Sequence, residues 1–298
     1  EAFGSEADRF WQIQGKELTR AEFDDASAKR EAELAAAREW FEIVRPSFEA
    51  VDMLASDGCR LVGHELAIAA PSHNWLVYAP GFGGTWKSGL AIAHRFAQAG
   101  YNLLLVDMRA QGESGGVLTG YGHAERRDLV EWCRLVVERD ADARIVLLGE
   151  SMGASAAVEA AAERDMPSQV KAVVSDSAYA DLWNEAIYML SRGVNGKSIS
   201  PHPVLDIARV VFRGNKCGFD LADANAEQAA KGAKVPLLIV HGSDDFMVPP
   251  YSARRLAEAA ASEHELLKVE GAGHCCASLV DPEAYFSVVL GFAQKHLA

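Results

Sequence analysis

Two segments of this 298-residue chain set a serine between glycines in the pattern Gly-x-Ser-x-Gly: Gly112-Glu113-Ser114-Gly115-Gly116 and Gly149-Glu150-Ser151-Met152-Gly153. A serine hydroxyl becomes a useful nucleophile when a tight strand-to-helix turn pushes it into a cleft, and glycines tolerate the crowding of such a turn. The chemistry served would be attack on a carbonyl carbon with an acyl-enzyme intermediate. Because the pattern occurs twice, its flanks must discriminate. Ser151 follows the β-type run Arg144-Ile145-Val146-Leu147-Leu148 and precedes Gly153-Ala154-Ser155-Ala156-Ala157-Val158, small residues suited to a helix packed close on a sheet. Ser114 comes after a strand that has already ended near Asp107 and Met108, and Gly116-Val117-Leu118-Thr119-Gly120 beyond it has no helical period. Ser151 is the expected nucleophile and Ser114 a loop residue.

A serine is a weak nucleophile near neutral pH unless a general base takes its proton and a carboxylate holds that base in the right tautomer. With the nucleophile on a strand-turn-helix, the chain order should be serine, acid, histidine. His274 suits the base, since it follows the last β-type run, Leu266 to Val269, through Gly271-Ala272-Gly273. His94, His123 and His202 lie in helical or polar-loop contexts, and His241 is expected to order the loop that bears the acid. That loop offers Asp244 and Asp245, of which Asp245 is preferred; Asp176, at the end of the run from Val170, is an alternative that would leave the pair unexplained. Donors for an oxyanion are expected from the backbone N–H of Met152 and, in the glycine-rich Tyr78-Ala79-Pro80-Gly81-Phe82-Gly83-Gly84-Thr85, from that of Phe82.

The elements that must position these groups are legible as short β-rich runs alternating with Ala-rich helical stretches. The runs are Leu61 to Ala69, Trp75 to Ala79, Leu103 to Val106, Ile145 to Leu148, Val170 to Val174, Leu237 to Val240 and Glu265 to Val269. Such alternation predicts an α/β fold, a mostly parallel central sheet flanked by helices. Residues 1–50 carry twelve acids and seven bases, net -5, with few Gly or Pro, and read as an N-terminal helical extension with one or two helices over roughly 5–44. Residues 51–298 form the catalytic domain. The interval 178–235, with Gly193, Gly196, Pro201 and Pro203, breaks the rhythm and is expected to be a small helical cap insertion. Its Trp183, Tyr188, Met189 and Phe212 are candidate walls of an acyl pocket, with packing of the cap on the core an equal alternative for each.

Composition narrows the partners. With 49% hydrophobic and 24% charged residues the chain is of the globular class, and a formal charge of -13 without a basic stripe makes nucleic acid an unfavourable partner. The five cysteines (Cys59, Cys133, Cys217, Cys275, Cys276) form neither a disulfide framework nor a C-x-x-C signature. No H-E-x-x-H or G-x-x-x-x-G-K-[ST] occurs, and Trp86 spoils a G-x-G-x-x-G at Gly81, so no metal or other cofactor is expected. No run of about 18 apolar residues spans a bilayer. The sequence opens on Glu1, so the compartment stays open between the cytoplasm and, had an upstream anchor been removed, the cell envelope.

Over roughly residues 55–298 the chain resembles serine hydrolases of the α/β-hydrolase superfamily, most nearly bacterial single-domain esterase-like or serine-aminopeptidase-like members. Besides the Gly149 elbow, Asp107-Met108-Arg109-Ala110-Gln111-Gly112-Glu113-Ser114 resembles the superfamily's structural D-x-R-x-x-G-x-S loop. His241-Gly242-Ser243-Asp244-Asp245-Phe246-Met247-Val248-Pro249 resembles H-G-x-x-D-x-x-V-P, a register that makes Asp245 the triad acid. Two departures stand out: Tyr78-Ala79-Pro80-Gly81 where many relatives carry His-Gly, and Cys275-Cys276 directly after His274, for which filling space behind the imidazole is the preferred role and sensitivity of the site to oxidation the alternative. The resemblance implies hydrolysis of a carboxylic ester or related acyl bond of a small-molecule substrate. The alternatives are a small serine peptidase, aminopeptidase or thioesterase on the same triad, and a binding protein that keeps the fold without catalysis.

Overall fold

The β-rich runs assemble side by side into one eight-stranded sheet in the order β1-β2-β4-β3-β5-β6-β7-β8. Its strands are β1 (Glu49–Leu54), β2 (Arg60–Leu66), β3 (Asn74–Ala79), β4 (Asn102–Val106), β5 (Arg144–Glu150), β6 (Val170–Asp176), β7 (Leu237–Gly242) and β8 (His264–Val269). The computed structural model describes residues 20–69, 71–192, 199–214 and 219–297. β1 and β2 run antiparallel at one edge, and from β4 onward every neighbouring pair is parallel. Parallel strands covered on both faces lose the alternation of half-exposed strands, which is why Leu103-Leu104-Leu105-Val106 and Ile145-Val146-Leu147-Leu148 are apolar at every position.

Successive side chains still point to opposite faces, and this divides the interior in two. Val77, Leu104, Leu147, Val173 and Ile239 face α3 (Glu125–Arg139), α4 (Met152–Ala161) and α8 (Tyr251–Ala259). Leu76, Leu105, Leu148, Val174 and Leu238 face α2 (Leu90–Gln98) and α10 (Pro282–Leu297), whose Phe96, Tyr285, Phe286 and Phe292 fill that side. Every residue of α4 is buried, and its Gly and Ala side chains let it sit directly on the sheet behind Ser151.

The edges differ from the sequence reading. β1 was not anticipated, because only Val51 of its six residues is buried and the strand depends on pairing with β2; the boundary drawn at residue 50 falls inside it. The β-type run from Leu61 ends at Leu66 rather than Ala69. Of the expected N-terminal helical stretch, α1 (Arg20–Val44) is described, and it is docked rather than loosely appended: buried Glu33 takes a bidentate pair from Arg95 at 2.9 and 2.6 Å, and Trp40 stacks on His94.

Between β6 and β7 the chain forms α5 (Leu182–Arg192), α6 (Pro201–Gly214) and the short α7 (Ala226–Ala230). Gly193, Gly196 and Cys217 lie outside the described residues. The last turn before the final helix is α9 (Ala277–Val280). Among the described residues no helix is long and apolar enough to cross a membrane.

Candidate active site

The turn from β5 into α4 holds Ser151 at φ 53°, ψ -116°, a conformation that L residues avoid and that persists only where the surroundings impose it. The surroundings are tight. A Cβ on Gly149 would lie 2.2 Å from the carbonyl oxygen of Gly153, and one on Gly153 would lie 2.3 Å from that of Ala79. The Ser151 N–H donates to Asp176 O at 2.8 Å, tying the elbow to the end of β6.

His274, on the loop after β8, places Nε2 2.8 Å from Ser151 Oγ and Nδ1 2.7 Å from Asp245 Oδ2. Asp245, after β7, is buried, and its Oδ1 accepts the N–H groups of Met247 and Val248, both at 2.9 Å. Burial alone would raise this carboxyl, but His241 and His274 outweigh it and hold it below the ordinary carboxylate range. His241 Nε2 lies 3.3 Å from Asp245 Oδ2 and donates to Val248 O at 2.9 Å, so it braces the acid loop as its position suggested. Burial opposes charge on His241, yet Asp245 outweighs that and raises its pKa. Thus the structure brings Ser151, His274 and Asp245 together in one hydrogen-bonded line.

The glycine-rich loop after β3 closes the other side. A Cβ on Gly81 would lie 3.0 Å from Ser151 Cβ, so the backbone entering Phe82 passes against the nucleophile. The Phe82 N–H has no acceptor among the described residues. Met152 heads α4, where first-turn N–H groups have no intrahelical partner and the helix dipole favours negative charge. Met152 thus follows Ser151 directly in the chain, and Phe82 follows the glycine that packs against it. Ser114 is elsewhere employed: its hydroxyl donates to Asp107 O at 2.7 Å and accepts Val62 N–H at 2.8 Å, stapling its loop to β2.

Asp176 does not meet His274. Its oxygens take the Ser177 hydroxyl at 2.9 Å and the Tyr285 hydroxyl at 3.0 Å, and Ser177 Oγ in turn accepts Cys275 N–H at 3.1 Å, supporting the His274 loop from behind. Glu150 points into the core against the Tyr78 hydroxyl, and burial together with repulsion from Asp176 pushes its carboxyl to about 8. Cys276 is buried, which pushes its thiol to about 12, and burial likewise raises Cys275; protonated thiols are poor nucleophiles. Among the described residues one His/Asp/Glu group, His64, Asp107 and Glu113, has its donor atoms within 4.8 Å, but Asp107 already accepts Trp86 N–H at 2.7 Å and Glu113 N–H at 2.8 Å.

The four insertion residues have different settings. Trp183 is half-buried on the core with the Arg209 guanidinium 5.1 Å from its ring centroid. The Tyr188 hydroxyl donates to Phe246 O at 3.2 Å, holding α5 over the acid loop, and Met189 is largely exposed. Phe212 packs on Tyr121, whose ring stacks on Phe82. Tyr121 was missed by the sequence reading. It sits in a loop with no period, and only its tertiary partners reveal it.

Comparison with known proteins bears on the fold and the family. The uncharacterized protein YqkD of Bacillus subtilis is 25% identical over 206 residues, 69% of this chain and 66% of YqkD, so the match spans just under two thirds of that relative. The uncharacterized protein YfhR of Escherichia coli strain K12 is 23% identical over 76% of this chain and 74% of its own. Among solved structures, the esterase Pf2001 of Pyrococcus furiosus superposes with a TM-score of 0.67 at 22% identity, covering 84% of this chain and 93% of that one. The model of the alpha/beta hydrolase family matches residues 76–288, from β3 into the final helix and across the elbow, the acid loop and the histidine loop. The chain thus has the α/β-hydrolase fold and belongs to the alpha/beta hydrolase family, which supports a hydrolase.

Proposed function

We propose that the protein is a serine hydrolase that cleaves carboxylic esters through Ser151, His274 and Asp245. The observation that carries this reading is the unbroken line from Ser151 Oγ through His274 to Asp245, at 2.8 and 2.7 Å. Ser151 Oγ attacks the ester carbonyl as its proton passes to His274 Nε2. Asp245 holds the Nδ1–H tautomer and stabilises the imidazolium. The N–H groups of Phe82 and Met152 stabilise the oxyanion, and the intermediate collapses as His274 returns the proton to the departing alcohol oxygen. Water then enters, gives a proton to His274 and attacks the acyl-enzyme; collapse releases the carboxylic acid and returns the proton to Ser151. The insertion between β6 and β7 serves as a cap that shapes the acyl side.

Labelling with a fluorophosphonate, beside turnover of p-nitrophenyl esters, tests the reading. Wild type is expected to be labelled and Ser151→Ala not; equal labelling of both removes the nucleophile assignment.

One observation favours a second reading, a peptidase acting on substrates with a free amine. Glu185 on α5 is half-buried, burial and repulsion from Asp245 and Asp181 push its carboxyl to about 8, and no ion pair compensates it among the described residues. A substrate ammonium would relieve that repulsion. Exclusive turnover of aminoacyl-p-nitroanilides over esters would favour this reading.

A further inference from the structure

Three aromatic rings run in file from the nucleophile's flank into the insertion. Phe82 and Tyr121 stack with centroids 5.5 Å apart and planes within 9°, and Tyr121 meets Phe212 of α6 at 5.8 Å. Phe82, 63% exposed, leaves its ring open beside the backbone that passes Ser151. Phe212 is backed in turn by buried Phe219 at 5.5 Å, so the far end of the file is anchored.

The middle ring is held by a purpose-built loop. Tyr121 has φ 48°, a left-handed conformation that disfavours an aromatic side chain and persists only where neighbours impose it. Its carbonyl accepts the Tyr179 hydroxyl, and its N–H donates to Thr119 Oγ1 at 3.2 Å. Fully buried Glu125 gathers the Gly120 N–H at 2.6 Å, the Gly122 N–H at 2.8 Å and the Thr119 hydroxyl at 2.9 Å. The loop is seated on the first turn of α4: a Cβ on Gly122 would lie 3.5 Å from Met152 O, and Thr119 Oγ1 is 3.3 Å from Met152 Sδ. A glycine at 121 would satisfy the same backbone without strain, so what the tyrosine adds is its ring, placed beside the oxyanion donor.

We propose that Phe82, Tyr121 and Phe212 form an acyl-binding wall that selects apolar acyl groups of medium chain length. This rests on the esterase reading above. An acetyl group ends beside Ser151, whereas a longer chain lies along successive rings, and each methylene so buried is worth about fourfold in binding.

The test compares p-nitrophenyl octanoate with p-nitrophenyl acetate in wild type, Tyr121→Gly and Phe212→Ala, together with calorimetric binding of octanoate. Glycine keeps the left-handed backbone, and Phe212 lies on a separate element, so Phe212→Ala decides alone if the loop variant fails to fold. The octanoate-to-acetate ratio of kcat/KM is expected to fall about tenfold in each variant, with octanoate binding weakened in parallel. A ratio unchanged in either folded variant overturns the wall. If wild type cleaves neither ester, octanoate binding that depends on Tyr121 and Phe212 keeps the wall and retires the esterase reading. Binding that is absent, or equal in all three proteins, overturns the wall.

Discussion

The segments around Ser114 and Ser151 share Gly-Glu-Ser, yet nothing about their settings is alike. Ser151 stands on a strained turn with its hydroxyl aimed at an imidazole, whereas Ser114 spends its hydroxyl on two backbone groups of the loop and β2. The lesson concerns what makes a motif chemical. A serine whose hydroxyl is satisfied by main-chain partners is a staple, and one held at positive φ with a free path to a base is a candidate nucleophile. The largest expected difference between them is catalytic. Ser151→Ala should lower ester turnover by about ten-thousand-fold or more. Ser114→Ala should leave turnover within a few-fold and instead cost about 1–3 kcal/mol of stability, because the buried Val62 N–H loses its acceptor. Initial rates with one p-nitrophenyl ester, beside urea unfolding of both variants, separate the two; a collapse of turnover in Ser114→Ala would erase the distinction.

The glycines extend the comparison to backbone geometry. Gly149 faces another main-chain segment, with Gly153 O 2.2 Å from any added Cβ, so neither side can yield without opening the elbow. Gly112, the matching glycine of the other copy, faces the Asp107 carboxylate, with Oδ2 2.1 Å from an added Cβ, whereas Gly115, which stands where the elbow has Met152, has more room, its nearest neighbour being Arg60 O at 3.1 Å. Gly149→Ala should therefore cost on the order of 4 kcal/mol or more, or prevent folding, and Gly115→Ala only about 1 kcal/mol. Denaturant midpoints at matched m-values check this, and equal losses would mean that the elbow relaxes more readily than its contacts imply.

Much of this contrast was legible in the sequence because it lives in local pattern. The run Arg144–Leu148 before Ser151 and the small residues after it specify strand, turn and buried helix, and a strand that ends early leaves Ser114 in a loop. The resemblance of His241 to Pro249 to H-G-x-x-D-x-x-V-P singles out Asp245 of the adjacent pair, and the structure sets that residue, not Asp176 or Asp244, against His274. What was not legible depends on partners distant in the chain. Tyr121 acquires its place from the hydroxyl of Tyr179, 58 residues away, and from a left-handed backbone that no tyrosine advertises. β1 exists through pairing with β2 rather than through its own burial, and the docking of α1 rests on one buried carboxylate, Glu33, in an otherwise solvated stretch.

The glutamates of the two copies give the smallest and most easily graded contrast. Glu113 has an exposed side chain near His64, while Glu150 is buried against Tyr78 and Asp176 with its carboxyl pushed to about 8. In the unfolded chain Glu150 ionises near its ordinary value of 4.5, so between about 4.5 and 8 the folded state holds a proton that the unfolded state has released. Folding stability contributed by the neutral carboxyl is therefore present at low pH and is lost progressively as pH rises through that window. Glu150→Gln keeps an oxygen for the Tyr78 hydroxyl and removes the titration. It should match wild type near pH 4 and exceed it at pH 8.5 by several kcal/mol, on the order of 4. Glu113→Gln should differ from wild type by no more than about 0.5 kcal/mol across the same range, as surface changes do. Urea unfolding at several pH values reads both differences. A Glu150→Gln curve parallel to wild type would mean that the buried carboxyl is already ionised at neutral pH, and that the two copies differ at Ser151 but not at the residue before it.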